Sequence, residues 1–257
     1  MQFIDTHTHL YSEQFNEDRT KVIQKAIELG LDKFFLPNID SSSIEGMHAL
    51  QTEFPNHCYP MMGLHPCSVD KNFEKELLLM ESKLAEYKYI AIGEIGIDLY
   101  WDKTFLAQQE IAFRTQINWA KERKLPIVIH CRDAFNEILS ILDEVNDDKL
   151  FGVFHCFTGT IEQAKHILNY GKFKLGIGGV VTFKNSGLDR VVQQLELKDL
   201  VLETDSPYLA PIPYRGKRNE SAYLIHIAEK LADLYQVPIE EIAEKTSQNA
   251  LEIFNIA

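Results

Sequence analysis

The chain lacks what several protein classes require. Its 257 residues contain no run approaching the roughly 18 consecutive apolar residues of a membrane-crossing helix, since the longest apolar stretches are interrupted by Glu, His or Gly. The four cysteines, Cys58, Cys67, Cys131 and Cys156, are too few and too scattered for a disulfide framework, and none forms a CxxC pair. A reducing, cytoplasmic compartment is the expectation. The opening Met1-Gln2-Phe3-Ile4-Asp5-Thr6-His7 has neither a basic n-region nor an apolar h-region, so it does not read as a signal peptide. Positive charge is scarce: 26 Lys and Arg stand against 38 Asp and Glu, a net −12. That argues against a broad basic face coating duplex DNA and leaves room for a local cationic patch over an active site. No Ser/Gly-rich linker, charge block or low-complexity stretch divides the sequence, so one domain over residues 1–257 is expected.

What is present is ordinary globular composition, 45% hydrophobic and 25% charged, with a regular alternation of short β-rich and longer amphipathic runs. Strand-like runs fall at 2–8, 33–39, 58–64, 89–95, 126–131, 151–156, 172–178 and 200–205. Helical periodicity occupies the intervals, for example 17–29 ended by Gly30, and 105–124, where Ile111, Trp119 and Ala120 are expected near one face. Ser42 with Glu45 reads as a capping box opening the second helix. Runs such as Tyr89-Ile90-Ala91-Ile92-Gly93 are apolar on both faces, as parallel strands covered by helices outside and packed inside require. Eight βα units in this length are the arithmetic of an α/β (β/α)8 TIM barrel, followed here by helical segments at 221–235 and 239–254 and so carrying an extra C-terminal helix. An open doubly wound sheet shows the same alternation, and the two differ mainly in where the polar residues fall.

Those residues fall at strand ends, which in a barrel converge on one mouth. The first run carries His7 and His9, and the two-residue period projects both imidazoles to one side. The fourth ends in Glu94, the fifth in His130, the sixth in His155 and the eighth in Glu203-Thr204-Asp205. A mouth holding this many imidazoles and carboxylates without a metal would gather costly polar groups with no evident partner. Cys131 and Cys156 follow His130 and His155 directly, so alternation turns them to the helix-packed side as small buried hydrophobes.

In combination and order, FIDTHTHL at 3–10, GLHP at 63–66, IGEIGID at 92–98, LPIVIHCR at 125–132, FHCFTG at 154–159 and LETDSPYLAP at 202–211 are highly specific. Over essentially the whole chain the sequence resembles the TatD family of metal-dependent deoxyribonucleases, a branch of the amidohydrolase-like barrels. The resemblance implies two divalent cations and suggests magnesium, whereas four imidazoles favour zinc, manganese, cobalt or nickel on softness. His7, His9 and Asp205 would hold one, His130 and His155 the other, and Glu94 would bridge them. Asp205 would also serve as general base, so Asp205 and Glu94 are the catalytic candidates.

Further positions are read as substrate handlers. His65 follows the third strand and is placed to donate to a phosphate oxygen or to cap its loop, and Arg132 lies two residues beyond His130, on the same side. Arg215, Lys217 and Arg218 put three cations into the loop after the eighth strand of an acidic chain, where phosphate contact is expected. Glu203, two residues before Asp205, is expected one layer deeper, supporting the ligands. Three positions depart from the family pattern: Tyr11, where Asp or Asn is more frequent, Asn136, where an acid is usual, and Ser221, where Pro is common. The expected activity is hydrolysis of phosphodiester bonds, with single-stranded DNA ends as substrate because a barrel mouth admits one splayed strand more easily than a duplex. No membrane and no obligate protein partner are implied. Hydrolysis of a small amide, lactone or phosphoester is the alternative, and a non-catalytic metal-binding protein a more distant one.

Overall fold

The computed structural model describes residues 2–256. Strands and helices alternate: β1 (Phe3–Asp5), α1 (Arg19–Glu28), β2 (Leu31–Leu36), α2 (Ile44–Glu53), β3 (Cys58–Pro60), α3 (Phe73–Glu86), β4 (Ile92–Asp98), α4 (Leu106–Arg123) and β5 (Ile127–Arg132). The second half continues with α5 (Phe135–Val145), β6 (Gly152–Phe154), α6 (Ile161–Asn169), β7 (Phe173–Ile177), α7 (Leu188–Val192), β8 (Leu200–Leu202), α8 (Leu224–Tyr235) and α9 (Ile239–Ile253). All strand pairs are parallel, in the orders β1-β2-β3 and β4-β5-β6-β7-β8. Two seams join these sheets. Met62 bridges Ile92, with Gly93 N donating to Met62 O at 3.0 Å, and Thr8 bridges Ser206, with Thr6 N donating to Leu202 O at 3.0 Å. The ladder thereby returns to its start as a (β/α)8 barrel, and α9 is the extra C-terminal helix.

Local chemistry explains several boundaries. Thr160 and Gln163 form a reciprocal capping box at the start of α6. Lys124 ends α4 in the left-handed region at φ 55°, with Lys121 and Arg123 in the last turn beside its unpaired carbonyls. The Ser42–Glu45 box is not formed: α2 begins after Ser43, and Ser42 Oγ donates to Asp40 Oδ1 at 2.5 Å instead. Short polar side chains in this turn find partners within the loop, which outcompetes the cap. Ile111 is also corrected, being 54% exposed, while α4 packs Ala112, Phe113, Gln116, Ile117, Trp119 and Ala120 inward. Among the described residues no helix is long and apolar enough to cross a membrane.

Buried apolar residues form two clusters. The larger lies between barrel and helices. The smaller fills the barrel's lower interior: Ile4, Phe35, Met61, Ala91, Val128, Val153 and Val201 pack with Ala250, Ile253 and Phe254 of the C-terminal segment. Phe254 meets Phe35 edge to face at 4.7 Å between ring centroids, closing the bottom. Full burial of each such side chain stabilises by about 1.5–3 kcal/mol. Continuing from this layer in steps of two leads from Met61 to His65, from Val128 to His130, from Val153 to His155 and from Val201 to Glu203 and Asp205.

Candidate metal centre

Glu94 lies at the centre of the mouth, 2% exposed. Its Oε2 is 3.1 Å from His7 Nε2 and 3.8 Å from His9 Nε2. Its Oε1 is 2.7 Å from His130 Nδ1 and 3.4 Å from both His65 Nε2 and His155 Nε2. Asp205 approaches from the far side, its Oδ1 3.5 Å from His9 Nε2 and 3.9 Å from His7 Nε2. The imidazoles are thus divided between the two oxygens of a single carboxylate.

The backbone delivers these groups in two ways. His130 follows the two-residue period of its strand, and His155 stands one residue past the end of β6, held by its N donating to Ile129 O at 3.0 Å. The ladder of β1 ends at Asp5, so His7 and His9 stand on the segment beyond it, held by Thr8 N to Phe35 O at 3.0 Å and His9 N to Ser206 O at 2.7 Å. Glu94 follows a register irregularity between Ile92 and Ile95, which puts it three rather than two residues beyond Ala91. Asp205 and Cys156 both have left-handed φ, 56° and 45°. Such backbone is uncommon outside glycine and concentrates at functional sites.

Three of the imidazoles, those of His9, His130 and His155, have a polar group behind them that sets their orientation. Tyr11 donates its hydroxyl proton to the Pro37 carbonyl and therefore accepts from His9 Nδ1–H at 2.8 Å, leaving Nε2 as the free donor of a lone pair. Tyr11 thereby has a defined task. Asp98 faces His130 Nε2 from 2.8 Å through Oδ2. Glu203, fully buried, lies 3.0 Å from His155 Nδ1 and accepts from Cys156 N at 2.5 Å. Gly176 makes room for it, since a Cβ there would fall 2.2 Å from Glu203 Oε2. Asp5 lies beneath, accepting from Thr204 N at 2.9 Å and Thr204 Oγ1 at 2.6 Å, and burial pushes its pKa up to about 7.

The electrostatics call for cations. Burial would raise the pKa of Glu94, but the imidazoles of His65, His7 and His155 outweigh it and hold the carboxyl well below its ordinary value. Burial is likewise outweighed at Asp205 by His9, His155 and His7, and at Asp98, brought down to about 2, by His130 and the Tyr100 backbone. His155 is the mirror case: burial disfavours its charge, but Glu203 and Glu94 push its pKa up to about 10. A proton and a metal ion compete for such a nitrogen. His7 Nδ1 and Glu203 Oε2 are buried without a hydrogen-bond partner. His7, His9 and Glu94, and separately His65, Glu94 and His130, each bring donor atoms within 4.8 Å of one another. This donor set of imidazole nitrogens and carboxylate oxygens fits divalent transition metals.

A cavity of about 740 Å3 opens above, with His9, His65, Glu94, His130, His155 and Asp205 in its lining. His65 stands beside the possible ligands, but its Nδ1 accepts from Cys67 N at 3.0 Å, which leaves the proton of a neutral ring on Nε2, 3.4 Å from Glu94 Oε1 and facing the cavity as a donor. Arg132 lies on the rim, its guanidinium 3.7 Å above the Tyr100 ring. Arg215 and Lys217 are exposed and sit over the rings of Phe183 and Tyr214, outside the cavity lining. Arg218 corrects the expectation of phosphate contact: it pairs bidentately with Asp18 at 2.8 and 2.7 Å and reaches Glu220 at 3.2 Å. Cys156 is also corrected, since it is half-buried and lines the cavity, whereas Cys131, half-buried too and reaching the cavity lining, packs against the core between barrel and helices. β6 ends at Phe154, so alternation no longer governs Cys156. Asp98 joins the site beyond the residues expected from sequence, and its signal is the spacing of Glu94, Gly96 and Asp98 along one strand.

A closed parallel barrel with a buried carboxylate ringed by imidazoles at the C-terminal strand ends defines a metal-dependent hydrolase. The sequence profile described as TatD related DNase matches residues 4–255, and the chain belongs to that family. It is 38% identical to the uncharacterized metal-dependent hydrolase YabD of Bacillus subtilis over 253 residues, 98% of each chain. It is 31% identical to the 3'-5' ssDNA/RNA exonuclease TatD of Yersinia pseudotuberculosis, covering 98% of this chain and 99% of that one. The crystal structure of YjjV, a TatD homolog of Escherichia coli, superposes with a TM-score of 0.92 at 29% identity, covering 99% of this chain and 98% of that one.

Proposed function

We propose that this chain is a phosphodiesterase that binds two divalent cations and removes nucleotides from the ends of single-stranded DNA. The observation carrying this reading is the division of imidazoles between the two oxygens of Glu94. His7 and His9 with Asp205 would hold one cation, His130 and His155 with His65 nearby the other, and Glu94 would span both. Magnesium, manganese and zinc all suit parts of this set, the imidazoles favouring zinc or manganese. When bound, such ions supply Lewis acidity and charge neutralisation to a phosphoryl group. The chain's own groups do the rest. Asp205, ionised at neutral pH and 13% exposed to the cavity, accepts the proton of the attacking water. Tyr11, Asp98 and Glu203 keep His9, His130 and His155 in place, so little reorganisation accompanies reaction. The name of the Yersinia relative supports a nucleic-acid substrate, and a barrel mouth admits one splayed strand more easily than a duplex. The four free thiols accord with a reducing, cytoplasmic setting.

The test combines metal analysis of the purified protein with digestion of a single-stranded oligonucleotide, the same sequence as blunt duplex, a small amide and a lactone. Stepwise shortening of the single strand, lost together with bound metal in Glu94→Gln, is the expected result. Full metal content with turnover only of the amide or the lactone would overturn it.

A further inference from the structure

The rim of the cavity carries a feature that the metal chemistry does not use. Trp101 is 73% exposed and its neighbour Tyr100 52%, so neither contributes much to the core. The two rings meet edge to face at 4.7 Å. In the β4–β5 ladder Asp98 pairs with Arg132, which brings the Arg132 guanidinium to 3.7 Å from the Tyr100 ring centroid and 5.5 Å from that of Trp101. Arg132 has no carboxylate partner among the described residues, in contrast to Arg218 with Asp18. The group is anchored: Asp98 Oδ1 accepts from Tyr100 N at 2.9 Å, while Oδ2 of the same carboxylate faces His130. Trp101 and Arg132 share a cavity lining with Glu94 and Asp205, and Tyr208, 46% exposed, stands in that lining near His9.

An exposed flat ring and a planar, unpaired guanidinium beside a phosphodiester site match the two parts of a nucleotide. An aromatic face stacks any base, and Arg joins both stacking and phosphate pairing. We propose that Tyr100, Trp101 and Arg132 form a base-stacking subsite that takes an unpaired nucleobase next to the bond held over Glu94 and Asp205; this rests on the phosphodiesterase reading above. Bases within a duplex have both faces covered, so the subsite selects unpaired ends irrespective of sequence and independently of the width of the mouth.

The test compares wild type, Trp101→Ala and Trp101→Phe on single-stranded oligothymidylate and on the same strand with abasic terminal nucleotides. In wild type the base-bearing strand has the higher kcat/KM. That preference falls by about 5- to 150-fold in Trp101→Ala, mainly through KM, and is largely kept in Trp101→Phe; the range corresponds to about 1–3 kcal/mol per stacked base. A second readout needs no turnover. The chain has two tryptophans and Trp119 is 5% exposed, so oligothymidylate with phosphorothioate linkages quenches wild-type fluorescence through Trp101 and leaves Trp101→Phe unchanged. Equal activity of wild type on both strands, equal loss on both strands in Trp101→Ala, or absence of the quench overturns the subsite. Quenching without cleavage of any strand supports the subsite and overturns the phosphodiesterase reading instead.

Discussion

At the lower end of the barrel Val128, Val153 and Val201 pack against Phe254 and Ile253, all at most 8% exposed. Two residues further along the chain stand His130, His155 and Glu203, ionisable groups of which His155 and Glu203 are as deeply enclosed as the apolar layer and His130 is half-buried. The strands are shared, so the difference between the ends is one of side-chain chemistry. Apolar groups at the bottom gain free energy from leaving water. Imidazoles and carboxylates at the mouth lose hydration and recover it only through one another and through the cations they gather. One end therefore stabilises the fold, and the other draws on that stability to hold charge out of water.

The largest test of this contrast is at the mouth. Asp205→Asn preserves shape and removes charge and basicity, so turnover should fall by about 10²- to 10⁴-fold. The folded protein should persist, as followed by circular dichroism; a variant within about threefold of wild type at saturating metal would remove Asp205 from the base role. Phe254→Ala is the converse change at the bottom, with an expected loss of about 3–5 kcal/mol in denaturant unfolding and no change in turnover per folded molecule at 25 °C. A large kinetic effect there would break the separation between the two ends. Asp98→Asn takes away the carboxylate behind His130 and should weaken metal affinity or activity by about 10- to 100-fold, measured by competition with a chelator and by diester hydrolysis.

The smallest effect sharpens the border of the mouth. Arg218→Gln breaks a partly exposed pair and should cost at most about 1 kcal/mol. Arg218 hydrogen bonding holds the Asp18 pKa below its ordinary value, so the pair's contribution is present above the usual carboxylate range and lost as pH falls through the depressed folded value. Thermal unfolding of variant and wild type should accordingly converge in acid. The salt dependence of single-strand binding should be unchanged in this variant, whereas Arg215→Gln with Lys217→Gln should flatten the log-log slope by about 1.4, roughly 0.7 for each phosphate left without its cation. A flattened slope in Arg218→Gln would return that residue to the substrate.

Much of this molecule was legible before its structure. Alternating βα periodicity pointed to eight strands and a barrel because both faces of a parallel strand are covered, and that leaves a direct mark on composition. Strand-end His and acidic residues pointed to a mouth because the barrel aligns all C-terminal ends. The errors were local. Ile111 and the Ser42–Glu45 box satisfied spacing rules that neighbouring packing and loop hydrogen bonds overrode. Cys156 was assigned by alternation beyond the point where its strand ends. Arg218 belongs by sequence to the loop cations, and only the fold brings Asp18, some 200 positions away in the chain, against it.

Periodicity and residue type, both local properties, thus determined the fold class and the inventory of groups able to bind metal. The division of those groups between Glu94 Oε1 and Oε2, the pairing of Asp98 with His130 and Tyr11 with His9, and the commitment of Arg218 were decided by tertiary structure alone. The Glu94, Asp98 and Arg218 pairings depend on distances between segments far apart in sequence, and Tyr11, two residues from His9, is turned toward it by donating to the Pro37 carbonyl 26 positions away; ligation, orientation and charge pairing act over a few ångströms.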